Sequence, residues 1–274
     1  MTISAILPVF NEEKRISDAL KSIMWCDEII VIDKFSTDLT VTLANRFGSK
    51  VKIYQINNIK GDFTSEVELF LKLASCEWIL LFTASDVMHP MLAKKIRIFI
   101  ENKNCIYDII HIPYRRYVLG IHSERSPWYS ETHPSIVKRK SIYIDKNEVH
   151  GAIKFRGLEY KFENSDLHCL YHLTHENADL MMNRHIRYWQ GEALSETIGL
   201  RKSFMGVIFA LGRVFFLRKT WLMGKDGMML IFSYVSYFMM SYVYKWENMH
   251  GSASETYNKI KSNINDEWEN TFNK

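Results

Sequence analysis

Along the first hundred residues, short apolar runs take turns with stretches in which apolar residues recur every third or fourth place. Four runs read as strands, over residues 4–9, 28–33, 51–55 and 78–82. The second, "EIIVID", is apolar almost throughout, as in a parallel strand covered on both faces. Between them, residues 12–25 place Ile16, Ala19, Leu20 and Ile23 at helical spacing. Further helices are expected over 38–47, 64–75 and 90–102. Because crossovers between parallel strands are right-handed, this β-α alternation predicts a mostly parallel sheet with helices on both faces.

The pattern then changes twice. Residues 106–162 carry shorter strand signals, "YDIIHIPYRRYVLG" and "PSIVKRKSIYI", which suit a mixed sheet edge. Beyond about residue 173 the periodicity is helical, over 177–200, 201–217 and 227–247. The expected organisation is an α/β body over 1–175, divided at 102/103, a helical region over 176–250, and a polar tail over 251–274 that ends as a loose or frayed helix.

Composition adds limits. The chain has 274 residues, 47% hydrophobic and 24% charged, enough to bury a sizeable core. A net charge of +4 is too small to point to nucleic acid. Cys26, Cys76, Cys105 and Cys169 form no CxxC pair, which argues against a zinc site and suits a reducing compartment. The first residues lack the basic start of a signal peptide, so a cytosolic location is expected.

The C-terminal third is different. Arg201, Lys202, Arg213, Arg218, Lys219 and Lys225 face one acid, Asp226, and are interleaved with aromatic and aliphatic residues. Such a stretch binds anionic lipid surfaces. Residues 227–244 hold no charge but many Ser and Tyr, so the expectation is a helix lying on the inner membrane face. The competing expectations are a helical hairpin that covers the sheet or forms a homodimer, and a true membrane span.

Candidate chemistry gathers at the strand ends, where open α/β sheets keep their ligands. "LPVFNEE" places Pro8, Phe10, Asn11, Glu12 and Glu13 after the first strand, and "VIDKFSTDLT" places Asp33 at the end of the second. Asp38 reads equally well as a helix cap or a ligand contact. Asp33, at the end of a buried strand, is expected to have no capping duty and to accept from a base N–H or a ribose hydroxyl. "WILLFTASDVMHP" ends the fourth strand in Thr83, Ser85 and Asp86. No GxGxxG follows the first strand, which sets aside a dinucleotide-binding dehydrogenase.

These blocks resemble those of family 2 glycosyltransferases of the GT-A fold, whose P-x-x-N-E is matched by Pro8, Asn11 and Glu12. V-D-x-x-S-T-D-x-T is matched by Asp33, Ser36, Thr37, Asp38 and Thr40. "PWYSETHPSIVKRK", "EVHG" and the stretch from Arg218 to Glu247 are similar to blocks of a subgroup that includes lipopolysaccharide-core β-1,4-glucosyltransferases. The resemblance spans about residues 3–248. It implies inverting transfer from a nucleotide-diphosphate sugar, UDP-linked, held by residues 1–102, to a glycan or glycolipid acceptor served by residues 103–175. It further implies a donor site at Pro8, Phe10, Asn11, Glu13, Asp33, Thr83, Ser85 and Asp86, and Mg²⁺ or Mn²⁺ on a D-x-D motif. Glu131 or His150 would be the general base, and His172 or His175 falls where the subgroup has a histidine after the last strand.

The departures sit at chemical positions. Both D-x-D acids are replaced, by Thr83 and Ser85, leaving Asp86 as the single metal candidate. The family's basic residue and Asn in the preceding helix correspond to Val67 and Glu68, an arginine to Ser135, and a glutamate to Gly151. Three readings stay open: a one-carboxylate metal site at Asp86, helped by Glu68; a metal-free site in which Arg115, Arg116, Lys138 or Arg139 takes the diphosphate charge; or a relative that binds without transferring.

Overall fold

A computed structural model describes residues 1–56, 69–144, 153–194 and 199–272. Four strands, β1 (Ile3–Val9), β2 (Glu28–Asp33), β3 (Val51–Gln55) and β4 (Trp78–Leu81), run parallel in the order β3-β2-β1-β4. Side chains alternate across the sheet. Ile3, Ala5 and Leu7 pack with Ile16, Leu20 and Ile23 of α1 (Ile16–Ile23), while Ile6, Ile30 and Ile79 pack with Phe70 and Ala74 on the other face. Each such fully buried Ile or Leu contributes about 1.5–3 kcal/mol relative to exposure. Two helices, α2 (Thr40–Asn45) and α3 (Pro90–Glu101), complete the layers. Pro90 opens α3 where no N–H is needed, and His89 accepts the Met91 N–H as its cap.

Past β4 the sheet turns mixed. The strands β5 (Asp86–Met88), β6 (Ile109–Val118), β7 (Thr132–Lys138), β8 (Ile142–Ile144), β9 (Ile153–Phe155), β10 (Glu159–Lys161) and β11 (Leu170–Thr174) follow. The order continues β4-β7-β6-β11-β5, with β10 on β6 and β8 paired to β9 apart from this sheet. A flat sheet would put β5 about 19 Å from β4 at ordinary strand spacing. Yet a turn closed by the Asp86 N–H on the Thr83 carbonyl joins them, and a turn spans under about 7 Å. The sheet therefore curls until its far edge meets the end of β4. The sequence reading treats 78–90 as one strand end, whereas Asp86 opens a second strand here.

The C-terminal helices are α4 (Ala178–Leu194), α5 (Leu200–Gly212), α6 (Gly224–His250) and α7 (Ser254–Phe272). A π turn (Arg213–Leu217) and a 3₁₀ turn (Thr220–Met223) join α5 to α6. Gly227 is required there, because a Cβ would stand 2.0 Å from the Thr220 carbonyl oxygen. The helices dock on the body through Trp128, edge-on to Tyr234 at 4.9 Å, while the Trp189 indole N–H on the Tyr237 carbonyl ties α4 to α6. Arg213 donates to the Pro127 carbonyl, and Arg218 to those of Glu124 and Tyr129. These two arginines, expected to face a membrane, are instead pins between helix and body, while Arg201, Lys202 and Lys219 are exposed. The polar tail forms a 19-residue helix, Ser254–Phe272.

Candidate functional site

The two motif blocks are laced together over the ends of β1 and β2. Asn11 N–H donates to Ser36 Oγ, and Thr37 N–H to Asn11 Oδ1 at 2.8 Å. Glu12 N–H donates to Thr40 Oγ1, Glu13 N–H to Asp38, and Leu39 N–H to Glu13. Asp38 also accepts the Thr40 N–H from one residue ahead of the α2 N-cap, Leu39, so it clamps the two blocks together. Asn11 (φ 54°) and Phe35 (φ 59°) take left-handed backbone that L residues adopt at a cost, as does His175 (φ 56°) beside them. Asp33 corrects its expectation. Its carboxylate is fully buried, accepts the Ser36 N–H at 3.0 Å and the Gln55 amide at 3.0 Å, and so carries a turn-holding duty.

At the end of β4, Asp86 is also buried. Its Oδ2 accepts from both the N–H and the hydroxyl of Thr83, each at 2.8 Å. Its Oδ1 lies 2.7 Å from Nδ1 of His172, the residue directly opposite on β11. A carboxylate oxygen accepts, so Nδ1 is the donor of this pair and Nε2 is the ring nitrogen left over. Ser85 accepts from Arg15 at 2.7 Å, and Arg15 also pairs with Glu12.

Above these strand ends opens a cavity of about 650 Å³. Pro8, Phe10, Thr83 and Ser85 line one side, with Lys34. The facing side comes from β6, β11, α4 and α6: Arg116, His172, His175, Arg184, Arg187 and Tyr237 among others. Asn11 and Glu13 line a smaller adjoining cavity of about 370 Å³ that shares Glu12, Arg184 and Arg187. Asp33 and Asp86 support the floor without lining either space. His175 is nearly buried, its Nδ1 has no partner, and burial together with the neighbouring Arg184 holds its pKa down at about 3. Burial and the nearby Arg15 also lower Arg184, which donates to Thr174 Oγ1 at 3.0 Å.

Other sequence candidates stand elsewhere. Glu131 is exposed at the entry to β7 and does not line the cavity, and His150, Glu68 and Gly151 lie outside the described residues. Of the four basic candidates only Arg116 reaches the cavity. Arg115 is held by Asp166 and Asn164, Lys138 by Asp108, and Arg139 by the Ala74 carbonyl. The residues missed from sequence are Lys34, Arg15 and the α4 pair Arg184 and Arg187. Two arginines three apart in "NRHIRYW", just after the last strand, were the available signal.

A divalent ion at the end of β4 meets a donor set that does not fit it. Mg²⁺ takes carboxylate and other oxygens in an octahedral shell. Here one carboxylate is present, both its oxygens are engaged, and a guanidinium stands on Ser85. Among the described residues no three His, Cys, Asp or Glu side chains gather to hold a metal.

The glycosyl transferase family 2 model matches residues 4–159, more than half of the chain, including both laced blocks and the end of β4. The chain belongs to glycosyl transferase family 2. Its fold is accordingly the GT-A α/β arrangement, extended by the C-terminal helices. The chain is 26% identical over 154 residues to poly(ribitol-phosphate) beta-N-acetylglucosaminyltransferase TarS of Staphylococcus aureus, covering 53% of this chain and 26% of TarS. The match thus spans about a quarter of that relative's length. An uncharacterized glycosyltransferase of Rickettsia bellii is 25% identical over 268 residues, covering 87% of this chain and 85% of that one. Among solved structures, S. aureus TarS 1-349 in complex with UDP-GlcNAc is similar with a TM-score of 0.47 and 16% identity, covering 92% and 93% of the two chains.

Proposed function

We propose that the protein is an inverting glycosyltransferase. It moves a sugar from a UDP-linked donor to a glycan or glycolipid acceptor of the cell envelope, at the cytoplasmic face of the membrane. The observation that carries this reading is the cavity: the family's two blocks floor it, and arginine and histidine side chains wall it. A nucleoside diphosphate is an anionic, hydrogen-bonding ligand suited to such a lining. TarS is named for transfer of N-acetylglucosamine to poly(ribitol-phosphate), but similarity over a quarter of its length does not carry its sugar or acceptor here.

In this reading the acceptor hydroxyl oxygen attacks the sugar's anomeric carbon from the face opposite the diphosphate. The new C–O bond forms as the bond to the diphosphate breaks, and that electron pair leaves on the nucleotide. The hydroxyl proton passes to His172 Nε2, because Asp86 fixes the ring with Nδ1 protonated. Glu131, off the cavity, is too poorly placed for this duty.

Membrane attachment is supported by the outer side of α5 and α6 and the turns between them. Phe204, Phe209, Phe216, Leu217 and Trp221 are exposed there, near Arg201, Lys202 and Lys219. Among the described residues one helical stretch, Thr220–His250, is long and apolar enough to cross a membrane by length and composition. Leu230, Ile231, Tyr234 and Lys245 are buried against protein, which favours lying on the surface over crossing.

Calorimetry with UDP and UDP-sugars, paired with a donor-turnover assay in the presence of membrane extract, tests the proposal. UDP binding with sugar transfer is expected. UDP binding without turnover of any donor would favour a second reading, a silent GT-A protein that binds a nucleotide sugar or a partner, for which the replacements at Thr83 and Ser85 speak.

A further inference from the structure

We propose that Arg15, Arg184 and Arg187, with Arg116 across the cavity, bind the donor's diphosphate and stand in for a divalent cation. This rests on the nucleotide-sugar reading and goes beyond it by assigning the charge that must be neutralised as the diphosphate departs.

The first support is position. Arg15 reaches from the start of α1 to Ser85 Oγ, 2.7 Å away, at the second position of the replaced D-x-D motif. Nε and Nη2 of Arg15 go to Glu12, and Ser85 takes one Nη1 bond without setting a second carboxylate against the guanidinium. The strand end therefore carries a guanidinium where the family pattern carries the acids of a metal site.

Spacing and crowding are the second support. Arg184 and Arg187 lie three apart on α4, so one helix face brings both to the cavity. The Arg187 guanidinium sits over the Phe10 ring, 5.3 Å from its centroid, within the first motif block. Arg184 lies 3.9 Å from Glu12 Oε1, the carboxylate that Arg15 also uses. Among the described residues lining the larger cavity, Glu12 is the one carboxylate, set against Lys34, Arg116, Arg184 and Arg187. Like charges this close raise each other's energy, and an anion between them removes that cost.

Chemical match is the third. The planar guanidinium fork meets two phosphate oxygens at once, which an ammonium does not. His175, nearly buried with Nδ1 unpartnered on the same wall, adds a polar group whose partner the protein does not supply. Asp86, the surviving acid, is turned to Thr83 and His172 and lines neither cavity.

The test is calorimetric titration of the full chain with UDP and with uridine, in EDTA and again with Mn²⁺. R187Q is the informative variant, because Arg187 is exposed and its loss leaves the core intact; R184Q is measured beside it, with circular dichroism on both. UDP is expected to bind in EDTA with an affinity that Mn²⁺ changes by less than about threefold, since the charge is already neutralised. R187Q is expected to weaken UDP about tenfold or more while leaving uridine unchanged. UDP binding that appears only with Mn²⁺, or a folded R187Q that binds UDP as the parent does, overturns the arginine assignment and leaves the nucleotide-sugar reading standing. Failure of the parent protein to bind UDP in either condition overturns both.

Discussion

Asp86 and His172 face each other across the β5–β11 pair, with Asp86 Oδ1 and His172 Nδ1 2.7 Å apart. One comes from the turn after β4 and the other from the last strand of the curled sheet, 86 residues later. Thr83 holds the other carboxylate oxygen, so the acid is fixed and the ring with it. Asp86 acts here by orienting an imidazole whose second nitrogen is left for the cavity.

Replacing Asp86 by Asn removes that orientation with little change in shape. The amide can donate to His172 and so favour the wrong tautomer. Donor turnover is expected to fall by about tenfold or more, with UDP affinity nearly unchanged. Product-nucleotide release under saturating donor measures the first and calorimetry the second; an unchanged rate would remove His172 from the reaction.

Arg213 and Arg218 hold residues 124–129 to the C-terminal helices through backbone carbonyls. Hydrogen bonds from a charged donor contribute about 1.5–3 kcal/mol each. R213A is expected to lower the melting temperature by several degrees in a thermal scan. K202A, at an exposed position, should leave it unmoved.

The membrane reading predicts a different pair of outcomes. Replacing Phe216 and Trp221, both exposed beyond α5, by Ser should reduce co-sedimentation with vesicles rich in anionic lipid. Replacing Arg201 and Lys202 by Gln should reduce it further and weaken its salt dependence. Sedimentation equal to the parent's in both variants would leave the exposed apolar side without this role.

Acid stability should fall in two stages. His133 is half-buried, and this desolvation holds its pKa down at about 4 despite the nearby Asp86 carboxylate. The unfolded chain protonates histidine near pH 6.5, so this contribution is present above that value and lost as pH falls toward 4. Burial pushes Glu28 up, but bonds from Lys52, Ser4 and Ser75 outweigh it and hold the acid at about 2. Its contribution is full above the unfolded value of 4.5 and is lost between 4.5 and about 2. Urea titrations across this range should show both, and E28Q should flatten the lower stage.

What could be read in advance was the periodic part. "EIIVID" forms β2 with every residue buried, and Ile16, Ala19, Leu20 and Ile23 are the buried face of α1, because alternation and helical spacing are local properties that burial enforces. The two motif blocks, too, were visible as blocks, since a turn between strand end and helix start uses nearby residues. Residue by residue the reading was less complete. Asp33 holds its own turn, and Arg213 and Arg218 grip backbone carbonyls about ninety residues earlier in the chain, which no spacing rule announces.

Side-chain period, a local property, carries the alternating α/β frame and the two motif blocks at the ends of β1 and β2. Which charges meet is settled only in three dimensions. The curl brings β5 and β11 to the end of β4, setting His172 on Asp86, and the docking of α4 sets Arg184 and Arg187 over Phe10 and Glu12. Electrostatic partnership depends on distance in space, and these pairs are separated in the chain by many times the length over which any local pattern repeats.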